Sequence, residues 1–243
     1  MTNPIKRPLL KAFGSKWQLA PHYPAPRYGT ITEPFARSGS YALRHVAPGG
    51  TIILNDIDDT VMLVWDWLLH RTTPREILRL PVETLREGED LRFVEGVSPI
   101  AAHWIAMWQR VGRNDCLTVS SWNNKPGMWQ ESVKRETINT LEWLELARVN
   151  VKLSCREYYE LDDIEATWFV DPPYQHQLCS VYPCGGVDYG MLGEWCQLLR
   201  GQVIVCEQQG ADWLPFEPFR TLNAGCAHHP KKTMTEVIWR NDQ

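Results

Sequence analysis

The 243-residue sequence has no apolar run long enough to cross a bilayer. Its longest, Val61 to Leu69, is about half the roughly 20 residues that a helical span requires, and Asp66 interrupts it. No membrane span is expected. The N-terminus carries two cations but no apolar core of the kind a secretion signal has, so a cytoplasmic location is expected. Zinc-type cysteine spacing is also lacking. The seven cysteines are scattered, and the pair Cys179 and Cys184 has no second pair to complete a tetrahedral set. No metal is expected, and in a reducing compartment these residues behave as small apolar side chains. Internal repeats and low-complexity tracts are missing too. Nor is positive charge in excess: 25 Lys and Arg against 29 Asp and Glu give a net charge of −4, which argues against indiscriminate coating of nucleic acid. Any DNA contact has to be local.

What is present is an ordinary globular composition, 44% hydrophobic and 22% charged, in a chain long enough for one large domain. A monomer is expected. Short strand-type runs occur at 28–33, 51–56, 151–155, 167–171, 202–207 and 235–239. Helical stripes lie between them: Val61, Val64, Trp65, Leu68 and Leu69 repeat at the spacing of one helix face, as do Leu192, Trp195, Cys196 and Leu199. This alternation predicts an α/β fold of Rossmann-like type, a mostly parallel sheet with helices on both faces. Two further helices, marked by Ile100 to Val111 and by Val133 to Leu144, interrupt it. We therefore expect a core formed by residues 1–71 and 151–243, with a helical insertion at 72–150.

Three signals fall at the carboxyl ends of predicted strands, where open α/β sheets bind ligands. The first is Glu33, Pro34 and Phe35, followed by Ala36, Arg37, Ser38 and Gly39. This turn precedes a helix starting near Ser40, and it lets backbone amides approach a ligand. In the second, Asp56 ends the next strand, seventeen residues after Gly39, where a carboxylate can accept hydrogen bonds from the hydroxyls of a ribose. Asp58 or Asp59 is assigned to capping the following helix. The third is Asp171, Pro172, Pro173 and Tyr174. Two prolines stiffen the backbone and leave carbonyls free to accept, beside a carboxylate and an aromatic ring. Such a site suits an amino group on a flat ring: Asp171 and the Pro172 carbonyl accept its two N–H hydrogens, and Tyr174 stacks on the base.

With these motifs in this order, the sequence resembles the Dam-type DNA adenine-N6 methyltransferases over nearly its whole length. Leu10 to Lys16 looks like that family's N-terminal cofactor motif, and Lys231 to Asn241 is similar to its closing strand. The resemblance implies S-adenosylmethionine as methyl donor. It implies Phe13, Gly14, Lys16, Glu33, Pro34, Phe35, Ser38, Gly39, Asp56 and Asp171 around the cofactor, and Asp171 to Tyr174 around a flipped adenine of double-stranded DNA. The sequence departs from the family pattern at Arg37 and Ser15, which stand where glycines are usual. The alternatives are a repurposed or catalytically impaired methyltransferase fold that binds DNA or a partner, and transfer to another amino group.

Positive charge is concentrated in residues 98–135, where five cations face two acidic groups, a net +3. Arg110, Arg113, Lys125, Lys134 and Arg135 are the expected phosphate or base contacts, together with Trp122, Asn123 and Asn124 in a loop of hydrogen-bonding side chains. Trp104 and Trp108 lie on the apolar helix stripe and are assigned to the core. Trp129 flanks the loop, and Gln175 and His176 are assigned either to the base pocket or to a loop. His228, His229, Lys231 and Lys232 form a cationic surface.

Overall fold

A computed structural model provides the fold and describes residues 3–11, 14–109, 116–121, 131–175, 186–224 and 232–241. The strands are β1 (Thr30–Glu33), β2 (Thr51–Asn55), β3 (Asn150–Ser154), β4 (Ala166–Val170), β5 (Gly201–Gln208), β6 (Glu217–Ala224) and β7 (Lys232–Arg240). They form one sheet in the order β3-β2-β1-β4-β5-β7-β6. The first five are parallel, and β7 runs antiparallel to both β5 and β6. This is a Rossmann-like α/β fold. Six of the seven strands coincide with expected runs. β6 was not foreseen: it contains Pro218 and few large apolar residues, and as an edge strand it pairs on one side only.

The helices are α1 (Ser40–His45), α2 (Asp59–Asp66), α3 (Pro74–Arg79), α4 (Pro99–Gln109), α5 (Glu131–Leu146) and α6 (Tyr189–Leu198). Side chains alternate across the sheet and so supply two cores. Phe169, Ile204, Cys206 and Ile238 join the larger one with α1, α2, α4 and α5. Trp168, Val170, Val203 and Val205 join the smaller one with Leu192 and Cys196 of α6. Asp58 caps α2 as expected, its carboxylate accepting from the amides of Thr60 and Val61. A capping box of Thr73 and Glu76 starts α3, with Pro74 in the first turn, where its missing N–H costs nothing.

The helices α3, α4 and α5 lie between β2 and β3 in the chain and share the larger core with the sheet. Trp104 and Trp108 are buried, and both indole N–H groups donate to the carbonyl of Leu9, at 3.0 and 3.3 Å. A buried indole needs such an acceptor. The two tryptophans thus fasten the N-terminal segment that leads to Lys16. No helix among the described residues is long and apolar enough to cross a membrane.

One DNA-contact expectation is corrected by this packing. Lys134 is only 5% exposed, and its ammonium is spent internally on the carbonyls of Leu78 (3.1 Å) and Leu80 (2.7 Å) and on Glu83 (3.0 Å). It ties α5 to the end of α3 and cannot also reach a phosphate. Its spacing from Ile138 and Leu141 on the buried stripe could have revealed this. Arg135, the next residue, is exposed.

Candidate functional site

The strand order fixes where a ligand can sit. From β1 the chain crosses to β2 and β3 on one side, while β4 and β5 lie on the other, so β1 and β4 flank the point where the connections diverge. Loops leaving such a pair in opposite directions open a crevice at the carboxyl ends. A cavity of about 480 Å³ is found there, lined at once by the turn after β1, the end of β2 and the segment after β4. All three expected signals therefore meet in one place.

The turn after β1 is built differently from the expectation in one respect. One of the first amides of α1 is not left for a ligand: the Ala42 N–H donates to the Glu33 carboxyl at 2.6 Å. Burial pushes the Glu33 carboxyl up to about 8, and the Ala42 amide opposes that shift. Gly39 has φ +55°, a conformation that L side chains rarely adopt, and a Cβ there would meet Trp65 at 3.1 Å and Leu54 at 3.3 Å. Gly39→Ala is expected to cost about 1–3 kcal/mol by urea unfolding; a loss below about 0.5 kcal/mol would contradict this reading. Arg37, one of the two departures from the motif that the sequence resembles, itself adopts φ +33°. It keeps the turn's path at the expense of backbone strain. Its N–H donates to Asp56 (2.9 Å), and its carbonyl accepts from the Trp65 indole (2.8 Å). Ser15, the other departure, has its hydroxyl 3.2 Å from Ser38 and 2.9 Å from Ser40, which links the N-terminal motif to this turn.

Glu33 also sets a pH dependence. A carboxyl whose folded value lies above its unfolded value binds its proton more tightly when folded. Its stabilising contribution is complete below the ordinary carboxylate range and is lost as pH rises to about 8. Between about pH 5 and 8 this group should lower stability by up to about 1.4 kcal/mol per pH unit. Urea unfolding at several pH values should show a shallower decline for Glu33→Gln, which stays neutral; an unchanged slope would contradict the assignment.

Asp56 lies at the end of β2 and lines the cavity. One carboxylate oxygen accepts from the Arg37 amide and the other from the Asp58 amide (3.0 Å), so the group is held in one orientation with further lone pairs to offer. Burial raises its pKa, while those amides and the Arg37 charge lower it. Behind it, Asn55 donates to the carbonyls of Pro34 and Arg156 and joins the loops after β1 and β3.

The segment after β4 carries Asp171, Pro172, Pro173 and Tyr174, all lining the same cavity. Lys16 Nζ lies 2.8 Å from Asp171 Oδ1 and 3.0 Å from the Gly14 carbonyl. Oδ1 is buried and accepts no well-directed hydrogen bond among the described residues, so Lys16 holds it by charge more than by a directed bond. Burial raises the Asp171 pKa, and Lys16 opposes that rise. For Lys16, burial pulls the ammonium pKa down, but Asp171 and Glu236 outweigh it and the net shift is upward. Lys16 is thus a buried cation among carboxylates. It also sits 4.7 Å from the centre of the Tyr174 ring, so that face is occupied. The Tyr174 hydroxyl points inward and donates to Glu236 (3.0 Å). Gln175 is held by Glu207 through its amide and by Asp212 through its side chain.

Beside Phe35, which the sequence reading did name, the cavity has an aromatic side that it did not identify. Tyr158 lies 5.4 Å from Phe35, and Tyr159 and Met191 complete the wall. The doublet Tyr158-Tyr159, just after β3 within an acidic stretch, was the available signal. Phe13, Arg110, Arg113, Trp122, Asn123, Asn124, Lys125, Trp129, His176, Cys179, Cys184, His228, His229 and Lys231 lie outside the described residues. No cluster of three potential metal ligands occurs among the described residues.

No protein-family model matches the chain, and no curated protein matches it. Solved structures match it distantly. A candidate methyltransferase from Pseudomonas syringae is 9% identical, with 93% of this chain and 96% of that one covered and a TM-score of 0.38. A conserved hypothetical protein from Streptococcus pyogenes is 9% identical over 91% and 90% of the two chains, with a TM-score of 0.35. A candidate methyltransferase from Escherichia coli is 13% identical over 88% and 76%, with a TM-score of 0.33.

Proposed function

We propose that this chain transfers a methyl group from S-adenosylmethionine to the exocyclic N6 amino group of adenine in double-stranded DNA. The observation that carries this reading is that a single cavity at the divergence of β1 and β4 is lined both by Asp56 and by Asp171 to Tyr174. One part suits the donor's nucleoside and the other an amino group.

The cavity meets the requirements of the cofactor. Its volume of about 480 Å³ is in the range that buries a molecule of this size. Asp56 would accept from the ribose hydroxyls, and Phe35 and Tyr158 would hold the purine against an apolar wall. The polar turn from Glu33 to Ser38 would take the amino-acid portion. When bound, the cofactor supplies an electrophilic methyl group on a sulfonium.

The chain's own residues then orient the acceptor. An exocyclic amine has its lone pair delocalised into the ring and is a poor nucleophile until it is turned out of plane. Asp171 and the Pro172 carbonyl would accept its two N–H hydrogens and direct the lone pair towards the methyl group, and the proton that the nitrogen must shed on methylation would pass to solvent by way of the Asp171 carboxylate. The prolines restrict that carbonyl's direction, because Pro172 has a fixed φ and, as the residue before Pro173, a confined ψ. Lys16 occupies the buried Oδ1 of Asp171, so Oδ2 is the oxygen that would accept from a substrate N–H. Reaching the amine requires turning the nucleotide out of the duplex at a cost of a few kcal/mol, which phosphate contacts must offset. Arg135 on α5, an exposed cation, would make such a contact.

Two measurements test the reading. Incubation with cofactor labelled on its methyl group and unmethylated duplex DNA should place label in the DNA; label in RNA or protein instead would contradict it. Calorimetric titration with S-adenosylmethionine separates an enzyme from a fold that has lost its cofactor. Saturable binding is expected, because Arg37 accommodates itself to the left-handed turn.

A further inference from the structure

Glu236 is a buried carboxylate to which the transfer just described gives no task. It stands on β7, paired on both sides of its backbone, with Gln208 of β5 and Arg220 of β6. Its backbone is therefore held between two neighbouring strands. A carboxylate in such a place is costly, and an apolar side chain of similar size would fill the space at less expense. Something must depend on its oxygens.

Three groups from separate parts of the chain converge on one of them. Glu236 Oε1 accepts from the Tyr174 hydroxyl (3.0 Å) and from the Tyr23 hydroxyl, and Lys16 Nζ lies 3.9 Å away. Tyr23 cannot swing aside: it stacks on Phe219 at 4.6 Å and meets Phe169 edge-on at 5.0 Å. Lys16 in turn holds Asp171 at 2.8 Å and sits over the Tyr174 ring. Glu236 thus reaches both ends of the Asp171-to-Tyr174 segment, Tyr174 directly and Asp171 through Lys16.

We infer that Glu236 is the positioning residue of this segment, fixing Tyr174 by its hydroxyl and Lys16 by charge, so that Asp171 and the Pro172 carbonyl face the cavity in one arrangement. It touches neither the donor nor the acceptor. The inference rests on the proposed transfer for its effect on rate, but not for its effect on the tyrosines. If the segment is held within a fraction of an ångström by this anchor, loss of the anchor should lower turnover and leave cofactor affinity in place.

The test uses the full chain with Glu236→Ala, Glu236→Gln, Tyr174→Phe and Tyr23→Phe. Proton NMR of the unmodified protein should show two slowly exchanging tyrosine hydroxyl protons, each assigned by its disappearance in one phenylalanine variant. Both should persist in Glu236→Gln, whose amide oxygen can still accept, and vanish in Glu236→Ala. In transfer assays, Glu236→Ala should lose about 30- to 100-fold in kcat with cofactor Kd changed less than about threefold, and Glu236→Gln should recover most of that loss. Tyr174→Phe should lose about tenfold in kcat, again with little change in Kd, which keeps the inference testable if Glu236→Ala does not fold. Hydroxyl signals surviving in Glu236→Ala, kcat and Kd falling together, or Tyr174→Phe turning over like the unmodified protein would overturn the inference. If no substrate is methylated at all, the proposed function fails, while the hydroxyl signals still decide whether Glu236 holds the two tyrosines.

Discussion

Asp171→Ala is expected to lower methyl transfer by about 10³-fold or more while changing cofactor affinity less than about threefold. On the proposed function the two effects separate because the carboxylate would act on the acceptor amine, whereas Asp56 and the aromatic wall of the same cavity would hold the nucleoside of the donor. Alanine removes the acceptor that turns the amine's lone pair towards the methyl group, and the Pro172 carbonyl alone cannot hold both hydrogens. Asp171→Asn serves as a control of the same shape. It keeps one acceptor oxygen but loses the charge that Lys16 faces at 2.8 Å, so it should fall between the two. Initial rates with labelled cofactor, together with calorimetric titration of each variant, provide the measurement. Near-normal turnover in Asp171→Ala would show that the segment after β4 is not the reacting site.

Lys16→Met should have the largest effect on stability. The ammonium is buried between Asp171 at 2.8 Å and Glu236 at 3.9 Å. Removing it leaves two carboxylates in low dielectric without their counter-charge, and breaking a buried pair in this way costs about 3–5 kcal/mol. The sign of the pH dependence follows. Both carboxyls already have raised pKa values from burial, with Lys16 opposing the rise. Without the lysine they rise further, so each takes up a proton more readily in the folded state. Stability relative to the original protein is then regained as pH falls and lost as it rises. Urea unfolding at pH 8 and at pH 5.5 should show the larger deficit at the higher pH. Equal deficits would mean that Lys16 is not neutralising these groups.

The strand ends were legible in the sequence because an apolar run that stops at an acidic residue is a local pattern. β1 ends at Glu33, β2 just before Asp56 and β4 just before Asp171, each within a residue or two of the expectation. The cap at Asp58 and the burial of Trp104 and Trp108 could be read for the same reason, from neighbours within one helix. What stayed hidden depends on distant pairs. Nothing near Lys16 indicates that it faces Asp171, and nothing near Glu236 indicates that it receives Tyr23 and Tyr174 from 213 and 62 residues away. Lys134 was misread because its charge suggested solvent, whereas its partners are the carbonyl of Leu78 in the last turn of α3, that of Leu80 just past it, and Glu83 beyond them. The helix start at Ser40 was foreseen, but not that Glu33 would take up the Ala42 amide in its first turn.

The central claim is the identity of the methylated atom, and nucleoside analysis addresses it most directly. Duplex DNA incubated with the protein and methyl-labelled cofactor is digested to nucleosides and separated. The account predicts label in N6-methyldeoxyadenosine and its loss with Asp171→Ala. Label in a methylated cytosine, or none in the DNA from a protein that binds the cofactor, would contradict it.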